Sequence, residues 1–335
     1  MNTTDAETAG IPDVPIDASG ERLAEVPTIG RGAAVLAFDV GGTDIKSALF
    51  DADGTARGLG RTPTPVSSEG APEALIDQLS ELAAQLMEQH PDVVPEGVGL
   101  VVPGIVDSDA GLAVFSSNLG WRNTPLRELA VKRFGLPVAF DHDVRSASWA
   151  EHRLGGARDY ANSVVLIIGT GIAGALLVNG RPYTAGGYAG EIGHSPIGEW
   201  PCPCGARGCL EAVASAGAIS RRYEEATGRD IDGAKEVIAL AAAGDETAAR
   251  IWEEALEALT MAIAQLTAVV APEAVVIGGG LSRAGGALFD ELRVRLADRL
   301  SFHRIPDLVA AELSGNAGLM GSALHARDAI AGGSA

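Results

Sequence analysis

Twice in this chain a short apolar run ends in a glycine-rich turn and a second apolar run follows at once. Residues 33–40 (AAVLAFDV) lead into Gly41-Gly42 and then 45–50, with an Asp53-Gly54 turn signal beyond. The pattern recurs at 163–168, Gly169-Thr170-Gly171 and 173–178. Buried strands joined this tightly need glycine where the backbone turns sharply. A device used twice predicts two related α/β halves facing each other. Leu75, Leu79, Leu82 and Leu86 recur at helical spacing within 72–90. Further helices are predicted over 126–134, 144–154, 232–243, 245–271, 285–300 and from 317, with strands at 97–102, 137–141, 274–277 and 307–311. Strands alternating with helices give an α/β fold with its sites at the carboxyl ends of the strands.

At roughly 100–200 residues per domain, 335 residues suggest about two domains. Lys+Arg number 25 and Asp+Glu 44, a net charge of −19 with no basic run. That excludes a protein built on nucleic-acid backbone contacts or anionic membrane surfaces. The longest apolar run, 164–178, is punctuated by glycines and falls short of the ~20 residues of a membrane-spanning helix. The N-terminus lacks the basic and apolar regions of a secretory signal, so a cytoplasmic location is expected. The three cysteines crowd into residues 202–209, which suits a reducing compartment and a metal site better than a disulfide framework. Residues 1–32 read as a mobile tail.

Several clusters can carry chemistry. In Asp39-Val40-Gly41-Gly42-Thr43, glycines let backbone amides approach an anion, and a carboxylate at a strand end can hold hydrated Mg²⁺. An ordinary glycine hairpin is the alternative; the spacing is not that of a Walker A loop. Gly169-Thr170-Gly171 is a second such turn, and two in matching positions favour convergence on one phosphate chain. Gly278-Gly279-Gly280 at a strand end admits the close approach of a nucleotide, or is a plain strand–helix turn. Asp143, after Asp141-His142, is a helix cap or a base accepting a hydroxyl proton. Most specific are His194, Cys202, Cys204 and Cys209, which match the Cys₃His set of a structural zinc. Glu191 and Glu211 bracket that set, placing two carboxylates beside one imidazole, suited to binding sugar hydroxyls.

These stretches together, DVGGTDIKSALFDADG (39–54), SNLGW (117–121), DHDVRSASWAE (141–151), LIIGTGIAGALLVNG (166–180), GGYAGEIGH (186–194), CPCGARGCLE (202–211) and VVIGGGLS (275–282), resemble the ROK family of sugar kinases and repressors. The resemblance covers about residues 33–328. It implies two actin-like, ribonuclease-H-like domains with a cleft between them: 33–143 with the C-terminal helix (about 317–330), and 144–316 with the zinc knuckle. It implies phosphate contacts at Asp39, Gly41, Gly42 and Thr43 and at Gly169, Thr170 and Gly171. Gly278, Gly279 and Gly280 would lie by the adenosine. Asp143 would be the catalytic base, and Asn118, His142, Glu191, His194 and Glu211 would contact the sugar. His194, Cys202, Cys204 and Cys209 would bind Zn²⁺, His194 facing the sugar with its other nitrogen. ATP and Mg²⁺ are the implied co-substrate and ion, and a homodimer or homotetramer the implied assembly.

The chain departs from the family pattern where His142 replaces an asparagine and where Ala173 places a methyl expected beside the phosphates. Arg145 stands where small residues are usual and is expected at the surface. The expected activity is ATP-dependent phosphorylation of a hexose 6-hydroxyl, glucose first. The alternatives are N-acetylglucosamine, N-acetylmannosamine or a cyclitol. A sugar-responsive repressor is disfavoured, because only about 32 acidic residues precede the first glycine turn. The acidic charge favours ATP over polyphosphate as donor.

Overall fold

The computed structural model describes residues 26–65, 72–116 and 119–332. Its strands are β1 (Val35–Val40), β2 (Asp44–Phe50), β3 (Ala56–Pro63), β4 (Gly97–Val102), β5 (Ile105–Asp107), β6 (Leu112–Ser116), β7 (Trp121–Thr124), β8 (Val138–His142), β9 (Ser163–Ile168), β10 (Ile172–Val178), β11 (Arg181–Pro182), β12 (Pro196–Pro201), β13 (Arg207–Cys209), β14 (Ala274–Gly278) and β15 (Asp307–Ala310). The helices are α1 (Pro72–Gln89), α2 (Leu126–Phe134), α3 (Asp143–Leu154), α4 (Glu211–Ala214), α5 (Ala216–Thr227), α6 (Gly233–Ala242), α7 (Glu246–Val270), α8 (Gly286–Arg299) and α9 (Ala317–Ala331).

The two glycine-turn hairpins are realised. In the first, Val40 pairs with Ile45 across Gly41–Thr43; in the second, Ile168 pairs with Ile172 across Gly169–Gly171. Each hairpin nucleates a five-stranded sheet, in the orders β3-β2-β1-β4-β8 and β11-β10-β9-β14-β15. The orders correspond strand for strand. In both, the first strand of the hairpin runs parallel to the next strand inward, β1 with β4 and β9 with β14. These parallel strands are almost wholly apolar and mostly buried, as strands covered on both faces must be, with Asp39 the one charge among them near the end of β1. β5–β7 form a three-stranded sheet and β12–β13 a hairpin.

The C-terminal helix α9 packs on the first sheet and on α3. A Cβ at Gly99 would lie 2.0 Å from the Ser322 carbonyl, and one at Gly321 would lie 2.0 Å from that of Ser146. Glycine is what permits both approaches. Arg327 fastens the helix by donating to the carbonyls of Ala33 at 2.9 Å and Asp51 at 2.7 Å. A second layer, α5–α8 with α4, covers the second sheet; α7 buries Ile251, Ala255, Leu259 and Ile263 on one stripe against it.

Of the tail expected over 1–32, residues 1–25 lie outside the described residues. Residues 26–32 do not behave as a tail: Ile29 is buried, and its amide bonds the Gly54 carbonyl at 3.0 Å. The Gly32 amide bonds the Ala52 carbonyl at 3.0 Å and Thr28 donates to the Asp53 carbonyl at 3.1 Å, so backbone pairing and the burial of Ile29 together dock this segment. No described helix is long and apolar enough to cross a membrane.

Candidate active site

The carboxyl ends of β1, β8 and β14 face a cavity of about 580 Å³. Asp39, Gly41, Asp143 and Gly278–Gly280 line it, with Lys46, Glu151, Arg283 and Gly315. Asp39 pairs with Lys46 in the β1–β2 register. Lys46 Nζ stands 3.4 Å from Asp39 Oδ2 and donates to the Gly315 carbonyl at 2.7 Å. Burial raises the Asp39 carboxyl above its usual range; Lys46 works against this and the Asp143 charge adds to it. With Asp44 and Glu151, four carboxylates line this cavity against Lys46 and Arg283, and the donor set suits hydrated Mg²⁺.

A second cavity, of about 620 Å³, lies on the other side of α3. His142, Asp143, Glu191, His194 and Glu211 line it together, with Arg145, Phe115 and Ala173. Asp143 and Val144 line both cavities. The first turn of α3 is therefore the wall between them. The helix is capped not by Asp143 but by His142, whose side chain accepts the Arg145 amide. Asp143 is left as the first helical residue.

The remaining expected positions fall differently. Gly42, Thr43, Gly169, Thr170 and Gly171 are not among the residues lining either cavity. Gly41 donates its amide to the Asp44 carbonyl at 2.7 Å, so that amide closes the turn. The Gly169 amide is likewise held by the Gly171 carbonyl at 2.9 Å. Glu211 Oε2 accepts the Ile172 amide at 2.7 Å and lies where a Cβ at Gly171 would come within 2.4 Å, which explains that glycine. Glu211 thus ties the second turn to the second cavity. The Ala173 methyl belongs to the second cavity, not to the phosphate side. Asn118 lies outside the described residues.

Arg145 is not at the surface. It is 3% exposed, donates from Nε to Asp141 Oδ1 at 2.6 Å, and reaches Ser108 Oγ at 2.7 Å and the Val106 carbonyl at 3.1 Å. Burial alone would raise the Asp141 carboxyl; the charges of His325 and Arg145 and the hydrogen bonds of Arg145 and Ser108 outweigh it and hold it below its usual range.

His194, Cys202, Cys204 and Cys209 bring their ligand atoms within 4.8 Å of one another. Cys204 and Cys209 have sulfurs 3.7 Å apart, and Cys202 Sγ is 3.9 Å from His194 Nδ1. Zn–S bonds of about 2.3 Å at tetrahedral angles separate two sulfurs by about 3.8 Å, so the set fits zinc and is too open for a disulfide. Burial, then the neighbouring thiols, push the Cys209 thiol up to about 12, whereas a backbone hydrogen bond at Ala206 and the Cys202 thiol lower Cys204. His194 turns Nε2 toward Glu191, 4.0 Å from Oε2.

Sequence reasoning named neither Arg283 nor a third cavity. That cavity, of about 390 Å³, is lined by Ala216, Gly233, Ala234, Ile238 and Leu281 and shares Gly280 and Arg283 with the first. Its lining is mainly apolar with Asp232, Lys235 and Arg283 at it, and apart from Gly280, which the glycine loop at 278–280 marks, it is formed by helix ends with no motif of their own.

A polar cavity floored by glycine turns, and one lined by acids and imidazoles, meet at a single carboxylate. They define an α/β enzyme with two adjoining ligand cavities that share Asp143. The chain belongs to the ROK family, whose model matches residues 35–329. It is 33% identical to a glucokinase of Thermotoga maritima over 89% of this chain and 98% of that one. It is 34% identical to an N-acetylmannosamine kinase of Shigella flexneri, over 88% and 98%. A ROK glucokinase of Streptomyces griseus, solved with glucose and AMPPNP, superposes with a TM-score of 0.73 at 28% identity, covering 88% of this chain and 99% of that one.

Proposed function

We propose that this ROK-family sugar kinase transfers the γ-phosphoryl group of ATP to the 6-hydroxyl of a hexose, with glucose as its first substrate. The observation that carries the proposal is the position of Asp143, which lines both cavities at the start of α3. A base between a phosphate site and a sugar site can take a hydroxyl proton as that oxygen attacks phosphorus.

In this reading the polyphosphate lies in the first cavity with the adenosine in the third. Lys46 and Arg283 offset the phosphate charge, and Asp39 holds Mg²⁺ through its waters. The sugar lies in the second cavity against Glu191, His194 and Glu211. When bound, Zn²⁺ on His194, Cys202, Cys204 and Cys209 supplies a structural clamp. His194, whose Nδ1 faces Cys202 Sγ, would be held in one tautomer by such a metal, leaving Nε2 for the sugar. We take 33–143 with α9, and 144–316, as two domains whose closure excludes water from the transferring group.

Glucose is favoured by the glucokinase relatives; the N-acetylmannosamine kinase relative supports that sugar as the second reading. The test is ADP release with Mg-ATP across glucose, N-acetylglucosamine, N-acetylmannosamine, mannose and a cyclitol, run beside Asp143→Ala. The expected result is turnover strongest on glucose, with kcat falling about 10²–10⁴-fold in the variant. A folded, zinc-loaded protein that turns over no hexose overturns the proposal, and a preference for N-acetylmannosamine replaces its substrate.

A further inference from the structure

We infer that His142 is a positioning residue for Asp143: its ring, held in one tautomer by the backbone of α3, turns an N–H toward the carboxylate that takes the substrate's proton. The inference rests on the phosphoryl-transfer reading above and assigns His142 a role other than sugar contact.

Three contacts carry it. His142 Nδ1 accepts the amide of Arg145 at 3.3 Å. A ring nitrogen that accepts bears no proton, so the neutral imidazole carries its hydrogen on Nε2. Nε2 stands 3.1 Å from Asp143 Oδ1. That same oxygen accepts the amide of Val144 at 2.6 Å. Both contacts fall on Oδ1, which leaves Oδ2 to face the substrate hydroxyl.

The donor that sets the tautomer is itself immobile. The Arg145 side chain is buried and bonded to Asp141 and Ser108, so its backbone amide stays under the ring. A run of fixed groups thus leads from Asp141 through Arg145 and His142 to Asp143. An asparagine at position 142 supplies only the half of the ring that Nδ1 represents. It can cap the helix, but its amide is too short to stand where Nε2 does.

In the reaction the sugar oxygen bonds to the γ-phosphorus and the bond to the β,γ-bridging oxygen breaks. ADP leaves with that electron pair, and the hydroxyl proton passes to Asp143 Oδ2. His142 keeps its proton throughout. Its N–H dipole holds the carboxylate in orientation.

The test separates the two halves of the ring. His142→Asn keeps the cap and loses the Nε2 donor; His142→Gln places an amide nitrogen near the Nε2 position. The expected result for the asparagine variant is kcat down about tenfold with the sugar KM within about threefold, and most of the kcat restored in the glutamine variant. A raised sugar KM with unchanged kcat in His142→Asn overturns the inference in favour of a sugar contact. Independently of turnover, the ¹⁵N resonances of the His142 ring are read in the wild type and in Asp143→Asn. A proton on Nε2, with an Nε2 signal that moves in Asp143→Asn, supports the assignment. A proton on Nδ1, or an unmoved signal, overturns it. Absence of activity on every sugar would remove the kinase reading while the resonances still decide the contact.

Discussion

Arg145 shows how far a single residue can depart from its sequence pattern. A charged residue in a helical stretch suggests an exposed face, yet this one is among the most buried charges of the molecule. Its partner Asp141 stands four positions earlier, but on β8 rather than on the helix, so the spacing does not announce a pair. Asp143, by contrast, is legible as a candidate base from its place after a strand. What the sequence does not disclose is that His142 takes over the capping task. Removing one member of a buried pair leaves the other charge stranded, at a cost of about 3–5 kcal/mol. Asp141→Asn is therefore expected to lower the urea-derived stability by that amount at neutral pH, by stranding Arg145. The pH dependence has a definite sign. The folded carboxyl titrates below its unfolded value of 3.8, so its stabilisation is present above that pH and is lost as pH falls further. The gap between wild type and variant should narrow below about pH 4; a gap of constant size from pH 3 to 7 would refute the assignment.

Among the elements, the paired hairpins and the long helices follow from glycine placement and apolar period, and their boundaries agree to within a residue or two. The misses share a cause. β3 (ARGLGRTP) is a partly exposed edge strand with no alternation to read. β5, β6 and β7 are too short for a period, and α5 carries alanine and glycine where a bulky apolar stripe would stand out. The β12–β13 hairpin was legible only as chemistry, through its cysteines. Its strand β12 is mostly exposed, so little apolar burial holds it, and Cys202, Cys209 and Ala212 form only a small cluster. The expected outcome of metal analysis is one zinc per chain. Chelation should lower the melting temperature and raise the sugar KM by about tenfold, equivalent to about 1.4 kcal/mol, with a smaller change in the ATP KM. The asymmetry arises because Glu191, His194 and Cys204 line the sugar cavity and not the phosphate one. Complete metal loss with unchanged melting and unchanged KM would dismiss the clamp.

For the molecule as a whole, a net charge of −19 makes local cations decisive. The first cavity sets Lys46 and Arg283 against Asp39, Asp44, Asp143 and Glu151, so under the proposed reading an anionic nucleotide would need a bound cation to enter it. Neither basic residue could be picked out from composition, since neither sits in a basic cluster. The correspondence of the two sheets was legible from the repeated hairpin; the cavities between and around them were not, because they depend on which loops the folded halves bring together.

With nucleotide and sugar in the two cavities as proposed, the wall formed by Asp143 and Val144 would make each an effector of the other. A ligand that presses on one side of a shared helical turn alters the surface offered to the other side. Thermodynamics then demands symmetry: the factor by which sugar changes the affinity for nucleotide is the factor by which nucleotide changes the affinity for sugar. Titration calorimetry with a non-hydrolysable ATP analogue should show the two dissociation constants tightening together by a common factor of at least about fivefold. Equal affinities with and without the partner ligand would mean the wall is rigid. A coupled wall would let scarce sugar leave the nucleotide loosely held, a built-in safeguard against idle hydrolysis.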